Sequence, residues 1–206
     1  MDPDKLAPSL GSIILSIAED LPYASEILYH RPSTFFALTY PTSNFLKVLR
    51  SVTGTLINAG VKGIFLNLDM GSGKTHLLSL LLHLFATCNL VPEQCADLSE
   101  YKDVGYSREL AEKTVTIAFD LRTPILAYRY LRLTERILRK MGLNDAAQVV
   151  GQSIKDGRMP DPRRLSESIP ADVNILILID ELHYAAITSS DEEQKVVEDV
   201  LRFVLR

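Results

Sequence analysis

The segment Leu68-Asp69-Met70-Gly71-Ser72-Gly73-Lys74-Thr75 constrains this chain most, because it joins two apolar runs of different character. Before it, Gly63-Ile64-Phe65-Leu66-Asn67-Leu68 reads as a short buried strand. After it, Lys74 to about Ala86 reads as a helix that is apolar nearly all round, which predicts burial between a sheet and a further layer. A strand that turns through glycines into a helix aims successive backbone N–H groups at one point. Gly71 and Gly73 permit the torsions this needs, and the positive end of the helix adds to the field, so the turn suits an anion. The segment fits the phosphate-binding pattern G-x-x-x-x-G-K-[ST] at every defined position but the first, where Leu68 replaces glycine. On that pattern Asp69, Met70, Gly71, Ser72, Gly73, Lys74, Thr75 and His76 line a nucleotide, ATP. Lys74 bridges its β- and γ-phosphates and the Thr75 hydroxyl ligates Mg²⁺. The plainer alternative is a glycine-rich turn with an exposed lysine; G-x-G-K-[ST] arises by chance in about one chain per hundred of this length.

A second motif stands about a hundred residues downstream. Asn174-Ile175-Leu176-Ile177-Leu178-Ile179 is a continuous apolar run, the pattern of a strand buried on both faces, and it ends in Asp180-Glu181. Carboxylates at the C-terminal end of a parallel strand lie where open α/β sheets bind ligands. Beside a phosphate loop, Asp180 holds Mg²⁺ through water, and Glu181 orients or deprotonates the attacking water. Without such a loop, the same residues are a strand ending in solvated acids.

Composition narrows the class. The 206 residues are 47% hydrophobic and 23% charged with a net charge of −4, which excludes a disordered tail, a collagen-like chain and a generally basic nucleic-acid binder. The acidic start Met1-Asp2-Pro3-Asp4 lacks the basic region of a signal peptide, and Leu77 to Val91 is too short and too interrupted to span a bilayer. Cys88 and Cys95 are too few for a disulfide framework and point to a reducing compartment, so the expected location is cytoplasmic. No metal-ligand quartet accompanies them.

Along the chain, helices are expected over Leu10 to Leu21, Ser43 to Asn58 (capped by Thr42 or Ser43), Ser107 to Lys113, Asp145 to Ile154 and Arg163 to Ser168. Thr114 to Asp120 and Val173 to Ile179 are the other strands. Thr123-Pro124 opens an amphipathic helix with Leu126, Tyr130, Leu133, Ile137 and Met141 on one face and Gly142 at its end. Ser190 and Glu193 form a capping-box pattern for a last helix over Asp191 to Arg206. Alternating strands and helices predict an α/β fold with a mostly parallel sheet.

Together the two motifs resemble Walker A and Walker B of the P-loop ATPase division that carries an added catalytic glutamate, the AAA+ type. More narrowly, Gly71 to His76 followed by Leu77 to Phe85, the upstream Phe35 to Thr42 and the segment Leu178 to Tyr184 are similar to a family of large prokaryotic AAA+-like ATPases often found with methylase or defence genes. The resemblance implies a three-layer αβα P-loop NTPase with residues 61–206 as its core and 1–60 as a helical segment packed on it. It further implies a chain that stops before the sensor-1 strand, with sensor residue and arginine finger beyond it. On this view the sheet lacks its central strand. A direct pairing of 63–68 with 173–179 would instead mark a kinase-like order. Lys74 and Glu181 are then the catalytic residues, ATP and Mg²⁺ the cofactors, DNA or a protein the target, and a homo-oligomer the assembly, with no membrane involved. Asp180-Glu181-Leu182-His183 also fits the D-E-x-H box of superfamily 2 helicases, a competing reading; a scaffold that holds ATP without turnover is a third.

Weaker features remain. Arg129, Arg132, Arg136 and Arg139 form a basic helical stripe, read as a solvated face, or as a contact for a protomer or nucleic-acid phosphates. Asp120 is either a partner of the site or a strand-end carboxylate. His30 and His83 read as structural, and Phe35 and Phe36 as core rather than adenine contacts.

Overall fold

The computed structural model describes residues 9–19, 28–66, 73–95, 98–186 and 190–205. The first helix, α1 (Leu10–Ala18), starts where the Ser9 hydroxyl accepts from the Ser12 amide, and Leu10, Ile13, Ile14 and Ile17 bury it along most of its surface. Helix α2 (Pro32–Leu38) begins with Pro32 at the first helical position, where a missing N–H costs nothing. Helix α3 (Ser43–Ile57) is capped by Thr42, and Ala59 past its end is left-handed at φ 48°.

Helix α4 (Lys74–Leu82) follows Gly73 and runs on through a π-helical turn, His83–Thr87, into the single turn α5 (Cys88–Leu90). Leu77, Leu80, Leu81, Leu82, Leu84 and Phe85 are buried, as their all-round pattern predicts. Helix α6 (Arg108–Glu112), capped by Ser107, leads into strand β1 (Thr114–Asp120). Pro124–Leu126 forms a 3-10 turn before α7 (Ala127–Lys140). Thr123 does not cap that helix; its hydroxyl pairs with the Tyr130 hydroxyl at 2.8 Å. Helices α8 (Asn144–Lys155) and α9 (Pro162–Glu167) complete the crossover to strand β2 (Asn174–Asp180), and α10 (Asp191–Val204) starts at the Ser190 cap accepting from the Glu193 amide.

The sheet consists, among the described residues, of β1 and β2 paired in parallel, with Thr114 opposite Asn174 and Asp120 opposite Asp180. Helices lie on both sides. Ile117, Ile175 and Ile177 share one face with Phe203 and Val204 of α10, whereas Asp120, in the alternate register, meets Gly11 of α1. All seven residues of β1 are buried. Ile175 on β2 is exposed, in keeping with one unpaired edge among the described residues.

Two expectations need correction. Residues 61–66 are not a buried strand: they have no regular structure, and Phe65 is 84% exposed. An apolar β-prone run needs a ladder partner and a covering face, and no described strand pairs with this one. Asn67 and Leu68 lie outside the described residues. Among the described residues the strand that pairs with β2 is β1, and no direct pairing of 63–66 with β2 is present. Secondly, Cys88 and Cys95 are joined as a disulfide with Cα atoms 5.6 Å apart, so they carry no argument for a reducing compartment. The arginine stripe is exposed at Arg129, Arg132 and Arg139, as a solvated face predicts, and Arg139 pairs with Glu135 on the same helix. Arg129 and Arg132 also meet Glu19 at 2.7 and 3.4 Å, and Arg136 donates to the Ile17 carbonyl at the end of α1. A cation on the last carbonyls of a helix is favourably placed, so these three residues also link α7 to α1.

Candidate functional site

Register alone brings the acids together. Parallel pairing sets Asp120 and Asp180 side by side at the C-terminal ends of β1 and β2, and the Leu121 amide continues the ladder to the Asp180 carbonyl at 3.1 Å. Both side chains are buried, Asp120 to 1% exposure and Asp180 to 5%. Asp120 is well satisfied: Oδ2 accepts from the Gly11 amide at 3.0 Å and Oδ1 from the Arg122 amide at 3.0 Å. Asp180 is not. Its Oδ1 accepts from the Glu181 amide at 3.0 Å, but its Oδ2 is buried with no hydrogen-bond partner.

Burial therefore raises the Asp180 pKa above the ordinary carboxylate value, and the nearby Asp120 and Glu181 charges push it the same way. The Thr75 hydroxyl and the Glu181 amide oppose them. An orphaned carboxylate oxygen is an unusual thing for a fold to bury, and it calls for a cation or a proton. Thr75 lies beside it in the first turn of α4, so a hydroxyl and a carboxylate oxygen converge. That donor set fits Mg²⁺, which takes few protein oxygens and fills the remainder with water and phosphate. Thr75 and Asp180 would hold it. No group of three or more His, Cys, Asp or Glu arranged for a metal occurs among the described residues.

Gly73 precedes α4 in the left-handed conformation, φ 84° and ψ 20°, which glycine adopts freely. A Cβ there would also approach the Phe45 ring at 3.3 Å. Lys74 and Thr75 then open the helix, as the pattern requires. His76 sits in that first turn, stacked on Phe35 with ring centroids 4.7 Å apart, and its Nε2 lies 3.0 Å from the Thr39 hydroxyl. Burial lowers its pKa, so it packs as a neutral ring that ties α4 to the end of α2. Phe35 and Phe36 are core residues, and His30 and His83 are buried, as their structural reading predicts. Asp69, Met70, Gly71 and Ser72 lie outside the described residues.

Glu181 follows Asp180 with a left-handed backbone, φ 57°, rare for a residue with a side chain. Arg122 Nη2 lies 3.4 Å from Glu181 Oε1, and His183 Nδ1 lies 3.2 Å from Oε2. The structure thus gathers Thr75, Asp120, Arg122, Asp180, Glu181 and His183 at one sheet end. Arg122 was not legible in the sequence, because no motif marks an arginine two residues past a strand. The only hint was its position after Asp120 on an edge already expected to matter. A groove of about 610 Å³ against Ile117, Ile175 and Phe203 contains none of these residues.

A protein-family model described as the DUF499 N-terminal domain matches residues 3–125, more than half of the chain, and the chain belongs to that family. No curated protein matches it, and no solved structure does. No helix among the described residues is long and apolar enough to cross a membrane.

Proposed function

We propose that this chain binds Mg·ATP as part of an AAA+-like P-loop ATPase and supplies the residues for its hydrolysis. The supporting observation is Thr75 beside the Asp180 carboxylate, whose Oδ2 is buried without a partner, two motif halves about a hundred residues apart meeting at one sheet end. In this reading the segment before Gly73 and the start of α4 would hold the phosphates by backbone N–H groups and the helix field, and Lys74 would balance charge on the terminal phosphate. Thr75 and Asp180 would hold Mg²⁺, which when bound would supply charge neutralisation, and Glu181 would take the proton of the attacking water. Among the described residues β2 pairs on one side only, an edge that a larger P-loop sheet would extend, and DUF499 domains are associated with large ATPase-like proteins. Whether the energy moves DNA or a protein, and whether copies assemble, belongs to the same proposal.

Two variants test it. Lys74→Ala should abolish tight ATP binding, and Glu181→Gln should keep binding while losing turnover about 100-fold or more. Equal turnover in wild type and Glu181→Gln would remove the glutamate from the mechanism. The D-E-x-H helicase reading has His183 in its favour, but that ring lies against Glu181.

A further inference from the structure

Charge is unevenly placed along this chain. The net charge is −4, yet no acidic residue stands between Glu26 and Asp69, a stretch that carries Arg31, Lys47, Arg50 and Lys62. Elsewhere the exposed arginines face carboxylates: Arg129, Arg139, Arg158, Arg163 and Arg202 each meet one at 2.7 to 3.4 Å. Lys47 and Arg50 are exposed and form no such pair among the described residues.

Helix α3 sets these cations in a row. It turns Leu49, Val52 and Leu56 inward and leaves Ser43, Lys47 and Arg50, at intervals of four and three, on one outer face. Gly54 continues that face, and among the described residues no atom lies within 4 Å of where its Cβ would stand, so a ligand can approach the backbone there. Ser51, one turn on from Lys47, accepts from Lys62 Nζ at 2.6 Å, which brings a third cation beside the row. Two aromatic rings stand in the open nearby. Tyr40, three residues before α3, is 82% exposed; Phe65, within about 10 Å of Lys62 along the chain, is 84% exposed and lies back against Gly63.

We propose that the outer face of α3, with Lys62, Tyr40 and Phe65, binds single-stranded nucleic acid. Lys47, Arg50 and Lys62 hold phosphates of one strand, and the two rings stack on its bases. A duplex hides its base faces, so exposed rings favour an unpaired strand. An anionic lipid surface suits this face less, because α3 turns its apolar side to the core and shows only small and polar groups between its cations. The surface names a target for the ATPase reading and rests on that reading only for what the strand is used for; binding itself needs no nucleotide.

The test follows the anisotropy of a labelled oligothymidylate of about 20 nucleotides as the chain is added without ATP, at about 50 and 200 mM salt. Three phosphate contacts on a single strand make affinity fall about 20-fold between those salt concentrations. In the double variant Lys47→Ala, Arg50→Ala one contact remains, so that fall should shrink to about threefold and low-salt affinity should drop about tenfold or more. Tyr40→Ala and Phe65→Ala should each weaken binding about fivefold or more with the salt dependence unchanged, and Tyr40→Phe should behave as wild type. All these side chains are exposed, so melting temperatures should match wild type. The double variant Arg129→Ala, Arg132→Ala removes two cations already paired with Glu19, and should leave binding unchanged. Absence of oligothymidylate binding by wild type overturns the proposal, as does an equal loss in the Arg129 and Arg132 variant. A duplex of the same length bound as tightly, or phosphatidylserine vesicles bound in its place, overturns it too. ATP binding is titrated separately, so failure of the ATPase reading leaves this result standing, and the reverse holds.

Discussion

His83 should make this fold lose stability in mild acid, well before most carboxylates titrate. It lies fully buried in the π-helical turn after α4, against the rings of Phe35 and Phe36, with Nε2 donating to the Tyr29 carbonyl at 2.9 Å and Nδ1 3.0 Å from the Thr87 hydroxyl. Burial lowers its pKa from 6.5 to about 4; the Tyr29 bond resists this, and His30 and His76 add to it. The unfolded chain therefore takes up a proton near pH 6.5 that the folded chain refuses until about pH 4. Stability is intact above the unfolded pKa and drains away as pH falls through that window. The full span is worth about 3 kcal/mol, and the part between pH 7.5 and 5 about 2 kcal/mol. Burial lowers the pKa of His30 and His76 as well, which adds in the same direction. Urea unfolding followed by circular dichroism at several pH values from 7.5 to 5 measures the slope. His83→Gln retains a donor for Tyr29 but cannot titrate, so its curve should be flatter by about 2 kcal/mol over that range. Parallel pH dependences in wild type and His83→Gln would refute the reasoning.

Other perturbations follow from single contacts. Gly11→Ala places a methyl group 2.5 Å from the Tyr130 hydroxyl and 3.1 Å from Asp120, so it should cost about 1–3 kcal/mol in thermal or urea melts. Asp180→Asn removes a buried charge with an unpartnered oxygen, and should raise the nucleotide-free melting temperature while abolishing Mg²⁺-dependent ATP binding. A melting temperature below wild type would mean that Asp180 contributes to the fold. Reducing Cys88–Cys95, seven positions apart, should lower stability by about 2–3 kcal/mol in a melt with and without dithiothreitol. Glu19→Ala should cost at most about 1 kcal/mol, because Arg129 and Arg132 are half exposed, and loss beyond that would mean a larger role in docking α1.

Local signals in the sequence carried far. The span Thr114–Asp120 matches its expected strand to the residue, because β-branched and aromatic residues there are bounded by a lysine and a turn. Thr42, Ser107 and Ser190 all cap helices where short polar side chains precede an apolar period. Gly142 ends α7 at φ 76°, as its place past the last apolar residue implies. What failed was non-local. The run Gly63-Ile64-Phe65-Leu66 has strand chemistry, but pairing depends on what lies beside it, which no local pattern encodes. The arginine stripe is exposed as its spacing implies, but its added contacts with Glu19 and the end of α1, more than a hundred residues away in sequence, are not encoded by any local pattern. Thr75 and Asp180 were legible as motif residues. Their meeting was legible only through a pattern that presumes the fold, and the hold of Arg122 on Glu181 was not legible at all.

The central claim is that Gly73, Lys74, Thr75 and Asp180 form one Mg·ATP site. Titrating the wild-type chain and Lys74→Ala with ATP in a calorimeter, with Mg²⁺ and again with EDTA, tests it most directly. Saturable binding by wild type that weakens at least tenfold in EDTA and vanishes in Lys74→Ala is the predicted result. Absence of binding by a wild-type chain with a cooperative melt, or equal binding by Lys74→Ala, would contradict the account.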